Sequence, residues 1–139
     1  MTFRIGLALG LIAALADAAR GDPGWDVRVP ERLEVALGGT AAVAIAIAVD
    51  RGSIVSKDAP LIIDLAADPG VSIKKRRLGR ADAVDPEADA PRFAATVRGE
   101  AAGTHAVKLR VRLWLCGGRV CRPVDVRREL SVVVTTPAP

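Results

Sequence analysis

Residues 105–115 read HAVKLRVRLWL, and this stretch decides the fold because its apolar side chains alternate with others along almost its whole length. Successive side chains of a β-strand point to opposite faces of the sheet, so the alternation predicts a strand with one buried face. The residues of the predicted buried face are Val107, Leu109, Val111, Leu113 and Leu115. The residues of the opposite face are Lys108, Arg110, Arg112 and Trp114.

The same period of two recurs along most of the chain. It is seen in residues 26–37 (DVRVPERLEVAL), 41–49 (AAVAIAIAV), 61–66 (LIIDLA), 92–98 (RFAATVR) and 124–134 (VDVRRELSVVV). Arg128 interrupts the last segment, for which we predict a β-bulge near residues 127–128. About seven strands with turn signals every 8–12 residues or so, and no convincing helix, predict an all-β, immunoglobulin-like antiparallel sandwich.

The N-terminal residues have the pattern of an export signal. A short basic start, residues 1–4, precedes the apolar run IGLALGLIAAL at residues 5–15, and residues 16–18 (ADA) offer a cleavage site. We predict a signal peptide at 1–18, a linker at 19–25, the sandwich at 26–134 and a disordered tail at 135–139. An uncleaved membrane anchor or a buried first helix are the alternatives. A cleaved chain is expected to be periplasmic or secreted, without stable membrane insertion.

Charge and composition exclude several classes of function. The chain has 139 residues, which suits one domain, and a formal net charge of +4. The basic run at residues 74–77 (KKRR) lacks interleaved aromatic residues, so we expect a solvated strand end and no nucleic-acid partner. The acidic stretch at 79–91 lacks the spacing of a calcium-binding loop, and we expect a solvated loop there. We expect no cofactor.

The two cysteines of the chain lie in LWLCGGRVCRP, residues 113–123. Two alternating segments flank them, which predicts a β-hairpin with a four-residue loop at 117–120 and places Cys116 opposite Cys121. Opposed residues of an antiparallel pair are within disulfide range, and thiol pairs of exported proteins are normally oxidised. Together with His105 the cysteines give at most three metal ligands, so we predict no metal site. A structural disulfide and a redox-active one both remain open.

Several properties favour a redox role for Cys116 and Cys121. Their parity places both sulfur atoms on the polar, accessible side of the hairpin, together with Trp114. A disulfide that closes a loop of about six residues contributes only about 2 kcal/mol of stability. Arg119 and Arg122 flank the pair and favour thiolate over thiol after reduction. We therefore take Cys116 and Cys121 as candidate catalytic residues, with Arg119, Arg122 and Trp114 as candidate binding residues.

Residues 107–134, VKLRVRLWLCGGRVCRPVDVRRELSVVV, resemble the cysteine hairpin of the N-terminal periplasmic, immunoglobulin-like domain of thiol:disulfide interchange proteins of the DsbD family. Residues 53–60 (SIVSKDAP) resemble the segment that enters a middle strand of these domains. The hairpin is also similar to that of the C-terminal β-domain of NHL-repeat thioredoxin-like proteins. The resemblance implies that Cys116 and Cys121 form the redox pair and that Pro123, a further candidate binding residue, shapes the loop exit. It also implies a thioredoxin-like protein or a membrane reductase as partner.

Two hypotheses of function follow from the sequence. The leading one is an exported thiol–disulfide exchange or electron-transfer module that uses the Cys116–Cys121 pair. The alternative is a non-enzymatic binding or structural sandwich with a static disulfide. Whether the chain is an enzyme stays open between them.

Overall fold

Two β-sheets packed face to face make up residues 24–137, the part of the chain that the computed structural model describes. The predicted signal peptide at 1–18 and most of the predicted linker lie outside the described residues. The strands are β1 (Trp25–Arg28), β2 (Arg32–Ala36), β3 (Thr40–Val49), β4 (Ser53–Val55), β5 (Ile62–Ala67), β6 (Val71–Ile73), β7 (Arg77–Gly79), β8 (Arg92–Gly99), β9 (Gly103–Gly117) and β10 (Val120–Thr135). No α-helix occurs in this range, so the predicted all-β, immunoglobulin-like sandwich is confirmed.

The strand order separates the chain into a four-stranded and a six-stranded sheet. The first sheet runs β1-β3-β8-β6, and the second runs β2-β10-β9-β5-β7, with β4 paired to β9 beyond the end of β5. The chain leaves the first sheet after Arg28 and enters the second at Arg32, and Pro30, which has no N–H to donate, lies in this crossover. All strand pairs are antiparallel except β2 with β10, which run parallel from Arg32–Ser131 to Ala36–Thr135. This pair is a local departure from the antiparallel sandwich that the sequence predicts.

The inward faces of both sheets form one apolar core. All five residues predicted for the buried face of β9 are buried, with relative exposures of 0–4%. They pack against the four-stranded sheet, in which β3 and β8 supply most of the buried apolar side chains. The buried apolar side chains of these two strands are Val43, Ile45, Ile47, Phe93, Ala95 and Val97. Burying aliphatic and aromatic side chains in this way is the main stabilising contribution to the fold.

The described residues contain ten strands, more than the seven or so that the sequence predicts. Three of them, β4, β6 and β7, are only three residues long, and so short a strand shows no readable alternation. The sandwich also extends one residue beyond each predicted bound, because β1 begins at Trp25 and β10 ends at Thr135. The basic run at 74–77 is exposed and leads into β7, as the sequence predicts.

The predicted bulge near residues 127–128 was wrong. The pairing of β10 with β9 is continuous, from Val120–Gly117 to Val134–Gly103. Arg128 instead occupies an inward-facing position at the edge of the sheet. Its guanidinium leaves the core and donates hydrogen bonds to the carbonyl oxygen of Val27 (3.0 Å) and to the carboxylate of Asp26 (3.3 Å). A long cationic side chain with a backbone acceptor therefore replaces the apolar residue that the alternation requires.

Candidate functional site

The hairpin of β9 and β10 carries both cysteines at its closed end. It holds fifteen consecutive paired positions, and its turn consists of Gly118 and Arg119. The loop is thus two residues long rather than the predicted four, because Gly117 and Val120 still pair with each other. Gly118 has a φ of 60°, in the left-handed region that glycine adopts without steric cost. Such two-residue turns are the common way to close a twisted hairpin.

Cys116 and Cys121 are directly opposed in the hairpin and form a disulfide bond. Their α-carbons are 4.0 Å apart, and the sulfur–sulfur distance is 2.06 Å. The short α-carbon distance is typical of a pair without mutual backbone hydrogen bonds, whose side chains lie closest together across an antiparallel ladder. The disulfide that the sequence predicts is confirmed.

The two cysteines differ in their exposure to solvent. Cys116 is half-buried, because β9 is a central strand here, with Cys121 on one side and Ile54 of β4 on the other. Cys121 is exposed, because β10 forms the edge of the sheet at this end and pairs with β2 only from Ser131 onward. An approaching protein can therefore reach Cys121 from the sheet face and from the sheet edge.

Three apolar side chains surround the disulfide on the outer face of the six-stranded sheet. Ile54 is opposite Cys116. Trp114 and Pro123 are opposite each other, and each lies two residues from a cysteine on its own strand. Trp114 is 41% exposed, Ile54 is 36% exposed, and Pro123 is also exposed. We call these three residues the apolar platform. The sulfur atoms lie on the outer face together with Trp114, as the sequence predicts, but their other neighbours there, Ile54 and Pro123, are apolar as well.

The polar part of this face begins beyond the platform, with a carboxylate held by two arginines. Asp64 of β5 accepts hydrogen bonds from Arg77 of β7 (2.7 Å) and from Arg112 of β9 (2.8 Å). The hydrogen bond from Arg77, together with that from Arg112, lowers the pKa of Asp64 below its ordinary value, against a smaller opposing effect of burial. Asp64 therefore stays ionised and balanced by its partners.

A second ion pair joins the two strands of the hairpin. Arg110 donates two hydrogen bonds to the carboxylate of Asp125, at 3.0 and 2.6 Å. This bidentate contact lowers the pKa of Asp125. Asp64 and Asp125 are thus already bound within the sheet, so neither offers an unbalanced negative charge to a partner.

The structure separates the two arginines that the sequence assigns to the site. Arg119 lies in the turn, exposed and close to the disulfide in the chain. Arg122 follows Cys121 directly and so lies on the other face of β10, with its guanidinium against Gly24. Trp114 and Pro123 share the outer face with the disulfide. Arg119, Trp114 and Pro123 thus border the cysteine pair, whereas Arg122 points away from it.

Arg80 holds β4 beside the disulfide, a role that the sequence did not indicate. Its guanidinium donates to the carbonyl oxygens of Val55 (2.9 Å) and Ser56 (3.1 Å), and to those of Pro86 (2.9 Å) and Ala88 (3.2 Å). One side chain therefore ties β4 to the acidic segment at 79–91. Because β4 carries Ile54, Arg80 also fixes one side of the platform.

No metal site accompanies the cysteines in residues 24–137, where no group of three or more metal-ligating side chains occurs. His105 lies near the opposite end of β9, where its ring contacts the backbone of Gly70 and its Nε2 is 2.7 Å from the carbonyl oxygen of Ala101. In the same range, no helix has the length and apolar character needed to span a bilayer.

Comparison with known proteins gives structural similarity at low sequence identity. No protein-family model and no curated protein matches the chain. Domains 4 and 5 of the S-layer protein SbsC match with a TM-score of 0.42 and 17% identity, over 78% of this chain and 51% of that one. Native alpha-2-macroglobulin from Escherichia coli, from domain MG7 to the C-terminus, matches with a TM-score of 0.48 and 12% identity, over 81% and 17%. Murine CRIg matches with a TM-score of 0.44 and 7% identity, over 80% and 98%.

The chain thus spans about half of the SbsC structure and less than a fifth of the macroglobulin structure. The fold assignment given above depends on the strand order and register of this chain.

Proposed function

We propose that this chain is a thiol–disulfide exchange or electron-transfer module in which Cys116 and Cys121 alternate between a disulfide and a dithiol. The observation that carries the proposal is the position of the bond: it lies at the closed end of the hairpin, with Cys121 exposed at an open sheet edge. Accessible disulfides are the ones that serve exchange or regulation, whereas structural ones resist reduction.

Exposure favours Cys121 as the sulfur that a partner attacks. A partner thiolate forms a bond to the sulfur of Cys121, the Cys116–Cys121 bond breaks, and Cys116 leaves as a thiolate. A second thiol of the partner, as its thiolate, then attacks the partner's own sulfur in this mixed disulfide and releases Cys121 as a thiolate. Two electrons pass from the partner dithiol to this pair, and the partner becomes a disulfide. The reverse sequence transfers two electrons to an oxidised partner.

The turn residue Arg119 supports the leaving thiolate. A nearby guanidinium lowers the energy of a thiolate more than that of a thiol, and it lowers the pKa of that thiol accordingly. Arg122 contributes less to this effect, because its guanidinium lies on the other face of β10. Removing the positive charge of Arg119 is therefore expected to raise the pKa of the reduced cysteines more than removing that of Arg122.

Localisation in the periplasm or outside the cell belongs to the same proposal. A formed disulfide is compatible with an oxidising compartment, and the sequence of residues 1–18 has the three regions of an export signal. A partner able to cycle the pair is then a thiol protein of that compartment, either thioredoxin-like or the exposed part of a membrane reductase.

The reduction potential of the pair tests the proposal. The protein is equilibrated in thiol buffers of defined potential, and free thiols are counted by mass after alkylation. A potential between about −120 and −270 mV supports exchange, since exchange proteins occupy that range. A value below about −300 mV is typical of structural disulfides and rejects the proposal.

The half-burial of Cys116 beside Ile54 favours the alternative, a structural or binding module with a static disulfide. Alkylation of the fully reduced protein separates the two ideas further. If Cys121 is the reactive sulfur, it is modified faster than Cys116 by a small neutral reagent. Equal slow modification of both cysteines supports the static alternative.

A further inference from the structure

We propose that the apolar platform is a docking surface for a protein thiol whose own surface is apolar and bordered by acidic side chains. The inference rests on the proposed function, since it names the kind of partner that reaches the disulfide. It adds that specificity arises from contacts on the sheet face beside the bond.

The distribution of exposed apolar side chains points to this end of the molecule. Five large apolar residues of the described chain are exposed: Leu37, Ile54, Val84, Trp114 and Val120. Two of them, Ile54 and Trp114, lie on the same face of the sheet as the disulfide, where Ile54 pairs with Cys116 and Trp114 is two residues from it in β9. Val120 directly precedes Cys121 and so lies on the other face of β10. Apolar side chains gathered beside one functional group indicate an interaction site more strongly than the same residues scattered singly. Tryptophan is one of the residue types that most often dominate binding energy.

The platform continues into a shallow cleft that can receive a side chain. Trp114, Pro123 and Ile62 line its apolar part, and its volume is about 270 Å³. Arg112 and Asp125 close its far side, where each is already bound to another residue of the sheet. The cleft thus offers apolar contact to a partner, while its two charged residues are already bound to other residues of this chain.

The charges around the platform select an acidic partner. Asp64 and Asp125, two carboxylates on this face, are neutralised by arginines, and Asp89, whose carbonyl oxygen accepts from Val55 next to Ile54, forms an ion pair with Lys57. Arg119 makes no ion pair with any residue of the described chain and lies in the turn next to the disulfide. The unbalanced charge of the hairpin is therefore positive, and oppositely charged surfaces associate faster.

The free edge of β10 is a poorer route for the partner than the sheet face. The outward-pointing backbone groups belong to odd-numbered residues, as the hydrogen bond from the N–H of Ser131 to Glu31 shows. Among these odd-numbered residues, Pro123 has no N–H to donate. Farther along the same edge, the side chain of Arg128 crosses the edge to donate to the carbonyl oxygen of Val27. Proline and an inward-pointing charge both discourage the addition of a strand. The partner is thus expected to dock on the face rather than to extend the sheet.

Rates of reduction by defined dithiol peptides test the docking surface. Three peptides share one dithiol core: the first has two leucines and three glutamates in its flanks, the second has lysines in place of the glutamates, and the third has serines in place of the leucines. Each rate constant is divided by that for dithiothreitol with the same protein variant. The ratio thereby removes any change in the intrinsic reactivity of the disulfide.

We expect the leucine–glutamate peptide to react about tenfold faster than the lysine peptide at low salt, with the difference shrinking at high salt. Trp114→Ala is expected to lower its ratio about fivefold, to the level of the serine peptide. Arg119→Glu is expected to abolish the preference for glutamate. The matched controls are Leu37→Ala, whose side chain is as exposed as Trp114, and Arg76→Glu, which is exposed elsewhere on the surface. Both controls are expected to keep the original ratios.

Three outcomes overturn the inference in distinguishable ways. Equal ratios for all three peptides, with normal reduction by dithiothreitol, reject the docking surface and leave the proposed function standing. Failure of dithiothreitol to reduce the pair except under strongly reducing conditions rejects both. A dimer in sedimentation that Trp114→Ala dissociates shows that a second copy of the chain covers the platform, and rejects a thiol partner there.

Discussion

Loss of the Cys116–Cys121 disulfide is predicted to cost little stability, and this prediction follows from where the bond lies. The perturbation is either reduction of the native protein or the double variant Cys116→Ser, Cys121→Ser. Neither cysteine is fully buried, so the change opens no large cavity in the core. The cost therefore comes mainly from the unfolded chain, which becomes freer when the bond is absent.

The magnitude follows from the size of the loop that the bond closes. The cysteines are five residues apart, and the chain-entropy estimate for so short a loop is about 2 kcal/mol of unfolding free energy. Residual hairpin structure in the unfolded chain lowers this value, since the bond then removes less entropy. For a domain of this size the melting temperature falls by about 10 °C or less.

The same free energy fixes a difference in reduction potential. Oxidation and folding form a closed cycle, so the bond is stabilised by folding as much as folding is stabilised by the bond. About 2 kcal/mol corresponds to about 40 mV for two electrons. The folded pair is therefore expected to have a potential no more than about 40 mV below that of a peptide with residues 113–124 (LWLCGGRVCRPV).

Urea unfolding of the oxidised, reduced and double-serine proteins measures the stability, and thiol buffers measure both potentials. Agreement between the two experiments through the thermodynamic cycle is the internal control. A loss of 4 kcal/mol or more, or a potential about 100 mV below that of the peptide, would show that the bond is structural. Such a result refutes the argument from loop size and weakens the proposed function with it.

Three further changes test other parts of the structure. Gly70→Ala is predicted to destabilise the fold by about 1–3 kcal/mol, because an added β-carbon overlaps the ring of His105, which must then move and give up its contact with the carbonyl oxygen of Ala101. His105→Ala in the same chain should recover most of the part due to this overlap, and failure to do so contradicts this packing. Asp64→Asn is predicted to make the free energy of unfolding depend less on pH in the acidic range. The folded pKa of Asp64 lies below its ordinary 3.8, so its contribution is present above that pH and is lost as the pH falls through the lower folded value. Urea unfolding between about pH 5 and pH 2 should show a smaller slope for the variant than for the original protein. Gly118→Ala is predicted to lower the free energy of unfolding by about 1 kcal/mol. The cause is the positive φ alone, since no atom lies within 4 Å of the added carbon. Gly79→Ala, at an extended φ of −123°, is the control and is expected to lower it less.

The alternation of β9 shows why much of the fold is predictable from the sequence. A long strand with one buried face repeats its signal many times, so errors at single positions matter little. The opposition of Cys116 and Cys121 was predictable for a related reason. A four-residue loop and a two-residue loop place the same two residues opposite each other and differ only in whether Gly117 pairs with Val120. The prediction of the pair was therefore right although the prediction of the loop was wrong.

The surroundings of the disulfide were not predictable, because they come from distant or very short segments. Ile54 lies in a three-residue strand, too short to show a period. Asp64 and Arg112 are 48 residues apart, and only the pairing of β5 with β9 brings them together. Arg80 bonds backbone carbonyls, which any sequence supplies, so nothing in its neighbourhood marks its role.

The paired cysteines lie closer to the turn than the last buried side chains of the hairpin. The bond can therefore break with little effect on the stability of the fold. Leu115 and Leu113 of β9 and Val124 of β10 are still buried, whereas Val120 and Cys121 are exposed. Farther from the turn than the cysteines, core packing and the bidentate ion pair between Arg110 and Asp125 hold the two strands together. Opening the bond therefore frees only the turn and one row of side chains, while the ladder beneath keeps its register. The electron-transfer role proposed above requires such a position, because a carrier has to change redox state repeatedly without unfolding.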